Sequence, residues 1–507
     1  MTESRIKNTG KNIIFSFLFQ FLKILLVFIN RIIFVRILGA SFLGVNGLFT
    51  NILSFLSLAD LGMSTAMMYS LYELLAKKDE EKILMYMRYF KKAYRIIAFS
   101  IFILGLMLIP FLKYIVNLPS DMPNIYIYYI LLLLNTVASY LFIYQTTIVS
   151  ADQKNYILNK YDIVFQFVLF ILQILALLIT KSFIFYLMSQ IICTILCNVA
   201  KVRASKKLYP YLSKESNEKL SSKERKKIHS NVFSLFFYKL GGIIITNTDN
   251  ILISIFVGTI AVGYYSNYCT IVSSITTFLT MIFTSIKASL GNYIVKRKND
   301  EQLHMFEILE IYNFWLVCFC SICFWILIPD FIEICFGKEY VLTTGLLACV
   351  VLNFYTSNIR QTIWAYRETT GTFNKTKYIT LVTAILNIIL SIIFGYFFGL
   401  VGIIFATVLS RMLYSWWKEP LIIFREHFNT SPKRYYINYI KRFCLFLFIG
   451  TITFGIILLI DIPNLYLLFI VKMLICVTVP IILLGIFYRN SGAMKYLKNI
   501  VIEWRKK

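Results

Sequence analysis

The chain has 507 residues, of which 59% are hydrophobic, 17% aromatic and 15% charged, and its mean hydropathy is +0.72. This composition excludes a soluble globular domain, and apolar runs of about 20 residues define an all-α polytopic membrane protein rather than a β-barrel of alternating strands. The net charge of +26 would suggest nucleic acid in a soluble protein. Here Lys and Arg gather in loops on one side of the membrane, so topology accounts for most of the excess and no nucleic-acid partner is expected.

Hydropathy predicts about fourteen spans. They lie near 11–37, 43–75, 94–117, 122–149, 159–180, 182–203, 231–257, 260–289, 306–329, 340–366, 376–397, 400–424, 440–460 and 464–488. The first lacks a small-residue cleavage site and runs at once into the second, so it reads as a retained helix. Basic residues mark alternate connections: Arg5, Lys7 and Lys11; Lys77 to Arg95; Lys201 to Lys227; Lys296 to Lys298; Arg425 to Arg434; and Arg505 to Lys507. The opposite loops carry almost no cations, Lys338 excepted. This asymmetry predicts both termini in the cytoplasm.

The predicted organisation is an N-terminal six-helix lobe (1–203), a cytoplasmic linker (204–230) and a C-terminal six-helix lobe (231–426). Two added helices (427–488) and a basic tail (489–507) follow. Internal repetition supports the two lobes: Asp249, Gly258 and Gly263 each stand 219 residues after Asn30, Gly39 and Gly44. Six spans return the chain to the same side, so the repeats are parallel, about an axis along the membrane normal.

Span 2 is the most informative stretch. Asn46, Thr50, Ser54, Ser57, Asp60 and Ser64 follow at steps of 4, 4, 3, 3 and 4, which places all six on one helical face. A polar stripe among lipid-facing residues must line a wet interior, and an acid at mid-span costs about 2.5 kcal/mol or more in hydrocarbon. The stripe recurs in span 8 as Thr270, Ser274, Thr277, Thr284 and Lys287.

Cations lie on similar stripes. Span 1 carries Gln20, Lys23, Asn30 and Arg31; span 7 carries Lys239, Gly242, Thr246 and Asp249; span 10 carries Asn353, Ser357, Arg360, Trp364 and Arg367. Lys23, Arg31, Lys239 and Arg360 are expected to line a cationic cavity, with Asn46, Thr50, Ser54, Ser57, Ser274 and Thr277 as its polar lining. Arg411 in span 12 reads either as a packing cation or as one more lining cation. Asp60 and Asp249 either balance these cations or couple transport to an ion. Arg36 and Lys472 are expected to snorkel to headgroups, and Glu73 to pair with Lys77 at the interface. The ten cysteines sit in apolar runs and read as packing residues, with no metal site and no cofactor expected. Guanidinium and ammonium groups in low dielectric suit phosphate oxygens, and hydroxyls, amides and aromatics suit sugars. The expected substrate is anionic, phosphorylated and carbohydrate-bearing.

The run Arg36-Ile37-Leu38-Gly39 through Leu43-Gly44, then Leu58-Ala59-Asp60-Leu61-Gly62, resembles the start of the Wzx-type polysaccharide flippases. Asp249-Asn250 with Gly258 and Gly263 is similar to their second lobe. These proteins belong to the multidrug/oligosaccharidyl-lipid/polysaccharide exporter superfamily. The resemblance implies a V-shaped two-lobe fold with a central cavity and alternating access. It implies flipping of undecaprenyl-diphosphate-linked oligosaccharide repeat units in the bacterial cytoplasmic membrane, for capsule, O-antigen or exopolysaccharide. It also implies membrane lipids, a polysaccharide polymerase and glycosyltransferases as partners, with coupling to an H+ or Na+ gradient or to the membrane potential.

Two rivals stand beside this reading. One is the same fold exporting a peptidoglycan or teichoic acid precursor or a drug, although a basic lumen argues against cationic drugs. The other is an enzyme, a membrane polysaccharide polymerase. Against it, the outer loops are short, His229, His304 and His427 lie in separate loops, and Gly241-Gly242 is not followed by the Lys-Ser/Thr of a phosphate-binding loop.

Overall fold

The computed structural model describes residues 2–60, 63–117, 122–152, 154–213 and 220–496. Every regular element in them is helical. Among the described residues, eight helices, or nine counting one bent pair, are long and apolar enough to cross a membrane, and Ala40–Leu56 and Leu240–Phe256 are shorter apolar helices. Of the remaining expected spans, the first falls on the long helix Thr2–Leu38 and the tenth on a helix pair that breaks partway. The chain forms two compact units, dividing after Gly263.

The first unit contains α1 (Thr2–Leu38), α2 (Ala40–Leu56), α3 (Met63–Lys77), α4 (Glu80–Leu108), α5 (Leu112–Ile115), α6 (Ile125–Tyr140) and α7 (Ile143–Ala151). It continues with α8 (Asn155–Leu175), α9 (Phe183–Leu208), α10 (Ser222–Phe256) and the start of α11 (Thr259–Lys296). Local chemistry sets the helix starts. Asp79 caps α4 by accepting from the Lys82 amide at 3.1 Å, and Ser221 with Glu224 forms a capping box on α10. The contact division falls inside α11 rather than at the 204–230 segment, because α10 packs on α2 and α3.

Span 2 is not one helix. It ends as α2 at Leu56, passes through a 3-10 turn at Ser57–Asp60, and resumes as α3. Its polar residues compete for the backbone: Ser54 donates to the Asn51 carbonyl at 2.8 Å and Ser57 to that of Leu53 at 3.1 Å. Asp60 and Ser64 therefore lie past the end of α2 and do not continue its face. Span 4 likewise bends by 43° between α6 and α7.

The second unit contains the rest of α11, α12 (Asn299–Phe336), α13 (Thr344–Asn358), α14 (Gln361–Thr369), α15 (Phe373–Ser410), α16 (Trp416–Glu426), α17 (Lys433–Leu458) and α18 (Leu465–Tyr488). Span 10 breaks at Ile359–Arg360, between α13 and α14. Nδ2 of Asn313 on α12 donates to the carbonyls of Asn358 and Ile359, at 3.1 and 2.8 Å. This satisfies backbone acceptors that the break leaves without helical donors, a necessity inside a membrane. Spans 11 and 12 run together through α15, kinked at Gly399, whose φ of 57° and ψ of −135° only glycine adopts freely. A π turn at Arg411–Ser415 then leads into α16.

The two added helices dock on α12 through ion pairs. Arg442 of α17 meets Glu310 at 2.8 Å, and Lys472 of α18 meets Asp330 at 2.7 Å. Lys472 thus turns inward, where snorkelling was expected, because Asp330 offers it a partner within the unit. Glu73 and Lys77 do pair, at 2.5 Å on an exposed surface. At one end of this unit Phe306 packs edge-on against Tyr366 and Phe424, at 5.1 and 5.4 Å. Such pairs contribute about 0.5–1.5 kcal/mol each beyond the area they bury.

Candidate functional site

Each unit presents a polar helical face. In the first, Thr50 is exposed on α2 and donates to the Asn46 carbonyl at 2.7 Å, in series with Ser54 and Ser57. A hydroxyl bonded back to its own helix keeps its acceptor lone pairs for the outside. Asp60 follows on the 3-10 turn, where Ser64 Oγ lies 3.4 Å from its Oδ2 and 2.7 Å from the Tyr94 hydroxyl. Asp249 is buried on α10. The expected cations of α1 do not share one environment. Lys23 is exposed and Arg31 half-buried, while Asn30 turns inward and donates to Gln173 Oε1 at 2.5 Å. The side chain of Lys239 lies outside the described residues.

In the second unit the face is on α11. Ser274 donates to Thr270 O at 2.7 Å, Thr277 to Ser273 O at 2.8 Å, and Thr284 to Thr280 O at 2.8 Å. The break between α13 and α14 lies against this face. Asn358 reaches Thr276 Oγ1 at 3.3 Å, and Gln361 reaches Thr280 Oγ1 at 3.4 Å. Lys287 closes the row on Glu368 of α14, at 2.6 Å. The sequence stripe anticipated the α11 hydroxyls but not Asn358 and Gln361, which meet it from another helix.

Arg360 is a correction. Expected to line a cavity, it is 3% exposed and points into α16, where its guanidinium binds the Glu419 carboxylate and donates to Ser415 Oγ at 2.9 Å. Arg367 reaches the other Glu419 oxygen at 3.1 Å, and Trp364 Nε1 donates to the carboxylate at 3.2 Å. A buried carboxylate requires both charge compensation and hydrogen bonds, and this set supplies them. Two arginines on one carboxylate leave the cluster with a formal charge of +1. Arg411, at the start of the π turn, donates to the Asn353 side-chain oxygen of α13. Sequence reasoning overlooked Glu419, although an acid in an apolar run, next to Pro420, was a visible signal.

The described residues define a class: an all-helical, multi-pass membrane protein. The polysaccharide biosynthesis protein family matches residues 9–286, more than half of the chain, and the chain belongs to that family. Among solved structures, it is similar to the lipid II flippase MurJ in its inward closed conformation. The TM-score is 0.70 at 17% identity, covering 94% of this chain and 99% of that one. A Vibrio cholerae MATE transporter, VcmN, matches with a TM-score of 0.56 at 12% identity, covering 84% of this chain and 98% of that one. An inward-facing multidrug resistance MATE family transporter of the MOP superfamily matches with a TM-score of 0.55 at 14% identity, over 76% and 90% of the two chains. Comparison with curated protein sequences finds no match.

Proposed function

We propose that this protein is a flippase in the bacterial cytoplasmic membrane, both termini inside, that moves undecaprenyl-diphosphate-linked oligosaccharide between leaflets by alternating access. The observation that carries the reading is the exposed hydroxyl row of α11, on a helix apolar enough to span, in a chain of the polysaccharide biosynthesis family. Hydroxyls with free lone pairs suit the sugar, and cations suit the diphosphate. Lys23, Arg31, Lys239 and Arg411 are the cations assigned to the headgroup. Arg360 acts through the Glu419 cluster, which fixes α14 against the α11 face. Asp60 and Asp249 are assigned to ion coupling, driven by H+, Na+ or the membrane potential. The polymer made from the flipped units is a capsule, O-antigen or exopolysaccharide, with a polymerase and glycosyltransferases as partners.

The near-complete overlap with a lipid II flippase supports a second reading, in which the cargo is a peptidoglycan precursor. Deleting the gene and measuring surface polysaccharide together with the lipid-linked precursor pool separates the two. Loss of polymer with complete repeat units held on the inner leaflet supports the first reading. Lysis with intact polysaccharide synthesis supports the second, and an unchanged polymer and precursor pool rejects both.

A further inference from the structure

The second unit encloses a cavity of about 160 Å³ between α12, α16 and α17, and none of the residues lining it belongs to α11. That volume is ample for several waters. Thr430, Ser431 and Arg434 form its exposed rim, while Glu310, Tyr435 and Arg442 form its buried end. Glu310 is 2% exposed, and its Oε2 accepts from Arg442 Nη1 at 2.8 Å. Its Oε1 and the Tyr435 hydroxyl are both buried and make no hydrogen bond among the described residues. One carboxylate oxygen is thus held by a guanidinium, and the other is buried at the closed end of the cavity, where the carboxyl group also meets the Thr362 hydroxyl.

We propose that Glu310 is a proton-binding site filled from this cavity. A hydronium entering past Thr430 and Ser431 transfers a proton to Oε1: the new O–H bond forms on the carboxylate and a neutral water remains behind. The carboxyl group is then uncharged, and Arg442 loses the partner that ties α17 to α12.

The charges around the cavity select a proton over other ligands. A hard metal ion requires several oxygen ligands, but the cavity offers one uncommitted buried carboxylate oxygen. The guanidiniums of Arg434 and Arg442 repel a bare cation there, whereas a proton arrives through water and ends covalently bound. Glu307 and Glu310 in turn disfavour an anion. The groups within electrostatic reach of Glu310 are Glu307 on its own helix, and Arg434, Tyr435, Tyr439 and Arg442 on α17. Thr362 on α14 faces Glu310 as well, while Arg360 lies within reach of Tyr439 and Tyr488 on α18 within reach of Arg442. Glu419 already balances Arg360, so Arg442 is the cation that Glu310 compensates.

The test is infrared difference spectroscopy on the full-length protein in lipid nanodiscs, with isotope-labelled glutamate, between alkaline and acidic buffer. A protonated-carboxyl band that appears on acidification, is absent in Glu310→Gln and persists in Glu307→Gln is the expected result. A band that survives in Glu310→Gln overturns the proposal, as does one that sodium suppresses at constant pH, which identifies an alkali-cation site instead. Arg442→Lys reads the same site should Glu310→Gln not fold. Lysine replaces the planar fork with a point charge, so the band midpoint moves to higher pH, and an unmoved midpoint contradicts the assignment.

Discussion

Gly44 and Gly263 each occupy a place where the backbone of the opposite helix leaves no room for a side chain. A Cβ on Gly44 would stand 2.0 Å from the Thr259 carbonyl oxygen, and one on Gly263 would stand 2.4 Å from that of Ala40. The contact is reciprocal: each glycine faces the carbonyl four residues before the other. It joins the two segments that the 219-residue spacing relates. Small residues let membrane helices approach closely enough for backbone van der Waals contact.

Gly44→Ala or Gly263→Ala therefore forces α2 and α11 apart. Overpacking of this kind costs about 1–3 kcal/mol. Gly455, with nothing within 4 Å of its hypothetical Cβ, is the control, and alanine there is neutral or mildly stabilising. Thermal unfolding of the three purified variants checks the order, and equal midpoints for all three would refute the close crossing.

The Glu419 cluster makes an asymmetric prediction. Glu419→Gln leaves Arg360 and Arg367 buried without a counter-charge, a change that typically costs about 3–5 kcal/mol. Arg360→Gln leaves Arg367 paired with Glu419, so its cost is smaller. Melting curves should rank Glu419→Gln well below Arg360→Gln. The reverse order would mean that Arg367 alone does not compensate Glu419, and would contradict the account.

Acid should weaken the junction between the α7–α8 turn and the end of α9. Burial pushes the Asp152 carboxyl up, but Lys154 and the Tyr209 hydroxyl, each 2.7 Å from Oδ2, hold it below the usual carboxylate range. A carboxylate with a lowered folded pKa contributes stability above its unfolded value, near 4, and loses it as pH falls through the folded value. Wild type should therefore melt above Asp152→Asn at neutral pH, with the gap closing in acid. A gap that widens in acid would contradict the sign.

Much of this fold is legible in the sequence, and the limits have physical causes. Hydropathy averages over a window, so it finds where apolar runs lie but not where one residue interrupts a helix. The breaks at Ser57–Asp60 and Ile359–Arg360 depend on hydroxyls bonding backward and on Asn313 reaching across from α12. Helical spacing gave the hydroxyl face of α11 because such a face is local. It could not give the partner of Arg360, which stands 59 residues away, or that of Lys472, which stands 142 residues away. A cation on a stripe looks the same whether it lines a cavity or meets a buried acid.

The α11 hydroxyls separate stability from transport. Thr277→Val and Ser274→Ala remove outward-facing acceptors without opening a core cavity, so their melting points should stay close to wild type. Complementation of the deletion by either should fall several-fold in surface polymer. Full complementation by the double variant would remove this face from the path.

Reconstitution tests the flippase reading most directly. Purified protein is placed in vesicles whose labelled polyprenyl-diphosphate oligosaccharide starts in the inner leaflet, and an external glycosidase reports the sugar that crosses. The account predicts cleavage well beyond that in protein-free vesicles, and slower in the Ser274→Ala/Thr277→Val double variant. Cleavage no faster than in empty vesicles, from protein whose fold is intact, would contradict it.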